Sequence, residues 1–235
     1  MADQETHANN VAQAEQQPTQ SVAVENASIE EGKTNDQEND SMKTVFHDRE
    51  HYNVKHPLQN TWTLWFDNPG KKANVTSWSQ NLNEVVSVST VEDFWGVYNN
   101  VAKVNHLEIS SNYHFFKKGV RPEWEDPANS KGGMFSIQLP RNRTGEGVNE
   151  YWLQMLLAVI GEQYKYEDEI CGAVVSVRKV FYRIALWIKT SDNGDIVKTI
   201  GTQIKEFLSV PSNIKVEFTP HGDSATKSSP NRRII

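Results

Sequence analysis

Apolar positions recur along this chain with two periods, and nearly all of the pattern lies after residue 56. Aromatic, β-branched or alternating runs at 61–66, 85–89, 112–117, 134–139, 171–179, 183–189 and 214–218 predict strands. Asn68-Pro-Gly70 stops the first, and Lys131-Gly-Gly133 leads into the fourth. Three stretches switch to a spacing of three and four. Thr90-Val-Glu-Asp93 reads as a helix start, with an N-cap threonine, first-turn acids and Asp93 in the capping-box place. Val91, Phe94, Trp95 and Tyr98 follow in register, so this helix should run to about Ala102. A second helix is predicted over 149–162, with Trp152, Met155, Leu156, Val159 and Ile160 on its apolar face. A third is predicted over 195–208 from Ile196, Ile200, Ile204, Phe207 and Leu208. Residues 74–80 read as a loop carrying Trp78, 141–147 as a polar turn region, and the residues after Phe218 as a polar tail.

Strand runs with three interspersed helices and no regular βαβ alternation favour the α+β class, an antiparallel sheet with helices on one face. The other face of such a sheet is open to solvent or ligand. The first fifty residues stand apart: they hold 11 acids against 3 bases, no Trp or Tyr and a single Phe. Such a segment buries too little apolar surface to offset its ordering entropy, and residues 1–50 are expected to be a disordered acidic tail. That leaves 51–220 as one domain and 221–235 as a flexible C-terminal segment.

The formal charge of −6 belongs to the tail, because residues after 50 sum to about +2. A near-neutral domain argues against a non-specific nucleic-acid binder, which would be strongly basic. Cys171 is the only cysteine, which excludes an intrachain disulfide and fits a reducing compartment. The first thirty residues lack a secretory apolar run, and the run from Trp152 to Ile160 is too short to span a bilayer. No membrane contact and a cytoplasmic location, with a possible nuclear fraction, are expected, as is a monomer.

The candidate chemistry lies in aromatic residues outside helices. Arg121-Pro-Glu-Trp-Glu-Asp-Pro127 brackets Trp124 with acids and prolines in a segment too polar for a core. Prolines stiffen such a loop. A flat cationic ring could stack on the indole of Trp124 while Glu125 accepts its N–H groups; the plainer role is a hydrophobic plug at the core rim. Trp78 sits on a second polar loop, and two indoles facing each other could clamp one ring. Arg178 and Arg183, read as flanking a strand turn, could meet phosphates. Trp62, Trp65 and Trp152 read as core; Trp187, between Leu186 and Ile188, fits either role. No phosphate loop, GxGxxG or GxSxG occurs, and no two histidines have metal-ligand spacing, so neither catalysis, a metal nor a cofactor is expected.

Five motifs then occur in one collinear series over about residues 54–227. They are His56-Pro-Leu-Gln-Asn60 before Trp-Thr-Leu-Trp65; Thr90-Val-Glu-Asp-Phe-Trp95; Arg121-Pro-Glu-Trp-Glu-Asp126 with Lys131-Gly-Gly133; Trp152-Leu-Gln-Met-Leu-Leu157 through Ile160-Gly-Glu162; and Cys171-Gly-Ala-Val-Val-Ser-Val-Arg178. Together they resemble the translation initiation factor 4E family, which binds the 7-methylguanosine 5′ cap of messenger RNA. The resemblance implies a curved antiparallel sheet of about eight strands with three helices on its convex face and the cap in its concave face. By matching motif, Trp78 and Trp124 would sandwich the methylated base, Glu125 would accept from its N1 and N2 groups, and Trp187 would lie near the methyl. Arg178 and Arg183 would hold the triphosphate. Methylation gives the ring a positive charge, which strengthens both the stacking and the pairing with Glu125.

The resemblance also implies a back surface of His56, Pro57, Val91, Trp95, Leu153, Gln154 and Leu157. There a helix from scaffold factor 4G, or from inhibitory 4E-binding proteins, would dock. Its expected consequence is recruitment of 4G to start cap-dependent translation; the alternative is a cap-binding repressor that does not engage the scaffold. Trp at both 62 and 78 resembles the translation-promoting class. The chain departs from the family pattern at Gln154, where an acid is common, at Met134, where a base is common, and at Val180, often Lys.

Overall fold

In the computed structural model, residues 55–68, 81–224 and 233–235 are described. The aromatic run before Asn68 forms β1 (Pro57–Asp67), and the next run forms β2 (Asn83–Thr90). β3 (Asn112–Lys117), β4 (Gly133–Pro140), β5 (Ile170–Val177), β6 (Phe181–Ile188), β7 (Glu217–Pro220) and β8 (Arg233–Ile234) complete one sheet. Its order is β2-β1-β3-β5-β6-β4-β7-β8, antiparallel throughout. Three longer helices, α1 (Val91–Asn100), α2 (Val148–Ile160) and α3 (Gly194–Phe207), cover one face. This is the expected α+β arrangement.

Side chains alternate across a strand, so each strand gives one set to the helices and one to the other face. Trp62 and Leu64 of β1, Phe115 of β3, Phe135, Ile137 and Leu139 of β4, Val175 of β5, and Ile184 and Leu186 of β6 point to the helices. There they meet Phe94 of α1, Trp152, Met155, Leu156 and Val159 of α2, and Val197, Ile200 and Ile204 of α3. Each such side chain contributes about 1.5–3 kcal/mol on full burial. A second, smaller cluster of Phe116, Cys171, Val174 and Ala185, with Trp187 against it, lies on the opposite, concave face.

The N-cap of α1 is Thr90, whose side chain accepts from the N–H of Asp93, as the sequence signature predicts. The helix ends at Asn100, two residues early, because Val101 is extended. β1 begins at Pro57 rather than Thr61; proline has no N–H to lose and is tolerated as the first residue of a strand. β5 stops at Val177 because the Arg178 N–H bonds to Phe181 O and closes a tight turn.

β6 therefore starts at Phe181, and Arg183 lies within that strand instead of flanking the turn. β8 has no counterpart in the sequence pattern, which continued from β7 into a polar tail. Two residues are too few to show a period. Ile235 then bonds through its N–H to Val216 O and packs at Gly201 of α3, where an added Cβ would sit 2.8 Å from its side chain. Among the described residues no helix is long and apolar enough to cross a membrane.

Candidate functional site

The concave face is built by period two. On β6, Arg183, Ala185 and Trp187 share that face, and Met134 lies beside Trp187 on β4. Four residues at about 3.3 Å each separate Arg183 from Trp187 by about 13 Å. That is a length suited to a nucleoside with its phosphate chain.

At one end, Trp187 packs edge-on against Phe116, ring centroids 5.4 Å apart, and against the His221 ring at 4.2 Å. Gly172 lies opposite Trp187 on β5, and any Cβ there would enter the Phe116 ring at 2.4 Å. His221 is buried, with no partner at Nε2 among the described residues, and burial lowers its pKa to about 4. The ring is therefore neutral at physiological pH. Burial also pushes the Cys171 thiol up to about 12, which makes it core rather than nucleophile.

Residues 118–132, between β3 and β4, carry Trp124, whose side chain is 38% exposed. The loop is held from beneath by Asn129, fully buried, which donates to Arg121 O at 2.8 Å and Glu123 O at 2.7 Å. Asp126 accepts from the backbone of Arg121 and Ala128. Arg121 pairs with Glu123 at 2.9 Å and lies over the Trp65 ring. Glu125 is exposed and accepts from the indole N–H of Trp124. Trp124 and Glu125 thus stand on a rigid platform, with no core role for the indole. Trp78, the predicted second indole, lies outside the described residues.

The other end is cationic. Arg178 is half-buried and its pKa is lowered, first by that burial and then by repulsion from Arg183. Arg178 donates to Asn112 Oδ1 at 2.9 Å, and Asn112 donates to both oxygens of the buried Asp67 at 3.0 Å. His114 reaches Asp67 at 2.6 Å. Asp67, Asn112 and His114 behind Arg178, and Phe116 and His221 against Trp187, support these side chains, and the sequence reading missed all five. The available signal for Asp67 was its parity with Thr63 and Trp65, an acid on the non-core face of an aromatic strand.

On the helical side, Trp95 is 36% exposed and stacks edge-on with Phe94 and Tyr98. Val91, Leu153, Gln154 and Leu157 are half-buried, and His56 and Pro57 are exposed. His56 is tied to α1: its carbonyl accepts from Val91 N–H, while its own N–H and Nδ1 meet Glu92 at 2.8 and 2.6 Å. The hydrogen bonds from His56 hold the Glu92 carboxyl down to about 2. A groove of about 720 Å³ lies elsewhere, along the Ser136–Pro140 part of β4. Of the predicted residues only Gln154 lines it, and it has no aromatic clamp, so size alone does not mark the site. No cluster of three metal-ligating side chains occurs among the described residues.

Residues 57–234 match the family model for eukaryotic initiation factor 4E. The chain belongs to the eukaryotic initiation factor 4E family. It is a family of initiation factors, not of enzymes. The Candida albicans factor 4E is 42% identical over 195 residues, covering 82% of this chain and 92% of that protein. Factor 4E-1 of Schizosaccharomyces pombe is 40% identical over 190 residues, covering 80% and 86%. Among solved structures, Caenorhabditis elegans eIF4E-3 in complex with the 4E-binding protein Mextli and cap analog superposes with a TM-score of 0.70 at 34% identity, covering 77% of this chain and 100% of that one. Ascaris suum eIF4E-3 with m7G cap gives 0.70 at 34% identity, covering 77% and 98%. The curved sheet with helices on its convex side is the architecture shared with these factors.

Proposed function

We propose that this chain binds the 7-methylguanosine cap of messenger RNA in its concave face and recruits scaffold factor 4G through its convex face. The observation that carries the reading is the layout of one sheet face: Trp187 packed on Phe116 at one end of β6 and Arg183 at the other, near Arg178, while the loop before β4 presents Trp124 and Glu125 on a brace built by Asn129. The relatives solved with m7G cap and with a cap analog support it.

In this reading the methylated base stacks on Trp124, with Trp78 as the opposing ring. Glu125 leaves the Trp124 indole to accept from the base N1 and N2 groups. The positive charge of the methylated ring favours both contacts, by about 0.5–2 kcal/mol for the cation–π part. Trp187 meets the methyl, and Arg178 and Arg183 hold the phosphates with charge-assisted bonds. Met134 brings no charge there.

On the helical side, His56, Pro57, Val91, Trp95, Leu153, Gln154 and Leu157 receive an amphipathic helix from 4G or from inhibitory 4E-binding proteins. Gln154 offers an amide where a carboxylate would pair with a basic residue of the partner. The protein acts in the cytoplasm as a monomeric adaptor.

Retention on immobilised 7-methylguanosine, with elution by cap analogue and not by GTP, tests the cap reading; equal elution by both refutes it. Trp124→Ala and Glu125→Ala should each abolish retention while leaving the fold intact. A 4G peptide should bind and lose at least about 30-fold in affinity with Trp95→Ala, the scale of an interface hot spot. Cap retention without any 4G binding would instead identify a repressor.

A further inference from the structure

Four buried or half-buried polar side chains meet where β1 ends, β3 begins and β5 ends. Asp67 and Asn112 are direct partners across β1 and β3. His114 lies two residues along β3 on the same face. Asn112 also faces Ser176 on β5, and Arg178 follows two residues later.

The chemistry of the four groups leaves one arrangement. Asp67 has no exposed surface, and a carboxylate there can only accept. His114 supplies one N–H to it and the Asn112 amide supplies the other bonds. Asn112 Nδ2 also reaches Ser110 O at 3.3 Å, so its donor end is fully committed to that side. Its Oδ1 is thereby turned toward Arg178, a residue that can only donate. Flipping the amide would set a donor against a donor and an acceptor against an acceptor.

The geometry points to Asn112 as a positioning residue that fixes the Arg178 guanidinium for the phosphate chain, with Asp67 and His114 locking the amide that does so. It rests on the cap reading proposed above. Arg178 also donates through its other terminal nitrogen to Val177 O, so two of its edges are already held. The side chain then loses little freedom when a phosphate arrives, and that lowers the cost of binding. Asp67 supplies the negative charge that allows two guanidinium groups to sit near each other before any phosphate is present.

The test measures the phosphate gain, the ratio of the dissociation constants for 7-methylguanosine and 7-methylguanosine triphosphate, by quenching of tryptophan fluorescence. Asn112→Leu keeps the branch at Cγ and removes the adaptor. It should cut the ratio about tenfold while nucleoside affinity stays within about twofold, the scale of one charge-assisted bond. If it fails to fold, Asn112→Ala, whose methyl reaches neither Asp67 nor Arg178, gives the same comparison.

The double variant Asp67→Asn with Asn112→Asp keeps one carboxylate and one amide at the same two positions. It should restore the ratio to within about threefold of wild type. Equal losses for nucleoside and triphosphate would mean a merely structural role and overturn the inference. So would no loss at all, or a folded double variant as weak as the single one. A wild-type protein that binds both ligands equally also overturns it while leaving cap binding intact; one that binds neither removes the cap reading itself.

Discussion

Lowering the pH from 7 to 5 should cost this fold about 2 kcal/mol through one side chain, His221. The ring is buried against Trp187, its Nε2 has no hydrogen-bond partner among the described residues, and burial takes its pKa from the ordinary 6.5 to about 4. A histidine held below its unfolded value binds fewer protons when folded. Stability is therefore complete above pH 6.5, falls as the pH drops toward 4, and falls no further from this source below that. At pH 5 the unfolded imidazole is almost fully protonated and the folded one only about one-tenth, which gives the 2 kcal/mol figure. His221→Phe keeps a flat ring beside Trp187 and removes the titration. Urea unfolding of both proteins at pH 7 and pH 5 isolates the effect, because every other titrating group is common to the two. Wild type should lose about 2 kcal/mol relative to the variant between the two pH values. A parallel decline, or an NMR titration midpoint for His221 near 6.5, would refute the reasoning.

Other consequences are simpler to read. Gly172→Ala drives a methyl into the Phe116 ring and toward Phe115 O, at 2.4 and 2.7 Å, and should destabilise by about 1–3 kcal/mol in thermal unfolding. Asn129→Ala leaves the carbonyls of Arg121 and Glu123 without their buried donor, at a cost of about 1–3 kcal/mol. Hydrogen exchange should then quicken across 121–130 before it does in the sheet. Thr90→Ala removes the α1 N-cap and should cost about 1 kcal/mol, seen as a lower denaturation midpoint at unchanged m-value. The Glu92 carboxyl should titrate near 2 by NMR and return toward its ordinary value in His56→Ala, because the histidine supplies the largest of the bonds that hold it down.

What the chain could determine by itself is what depends on neighbours a few positions apart. Period two and period 3.6 are local, so the seven longer strands and three helices were legible, as was the Thr90 cap. The Pro-framed loop was legible too, because proline and a polar surround act on the backbone where they stand. Trp124 on that loop, and Trp62 and Trp152 in the core, follow from pattern alone.

The tertiary structure decided what pairing decides. A sheet order of β2-β1-β3-β5-β6-β4-β7-β8 brings Asp67 to Asn112 and Asn112 to Arg178, across 45 and 66 positions of sequence. It also sets His221 against Trp187 and gives the two-residue β8 a neighbour. A polar residue in a strand announces only that it needs a partner. Which side chain satisfies it is fixed by register between strands, and register is a property of the assembled sheet.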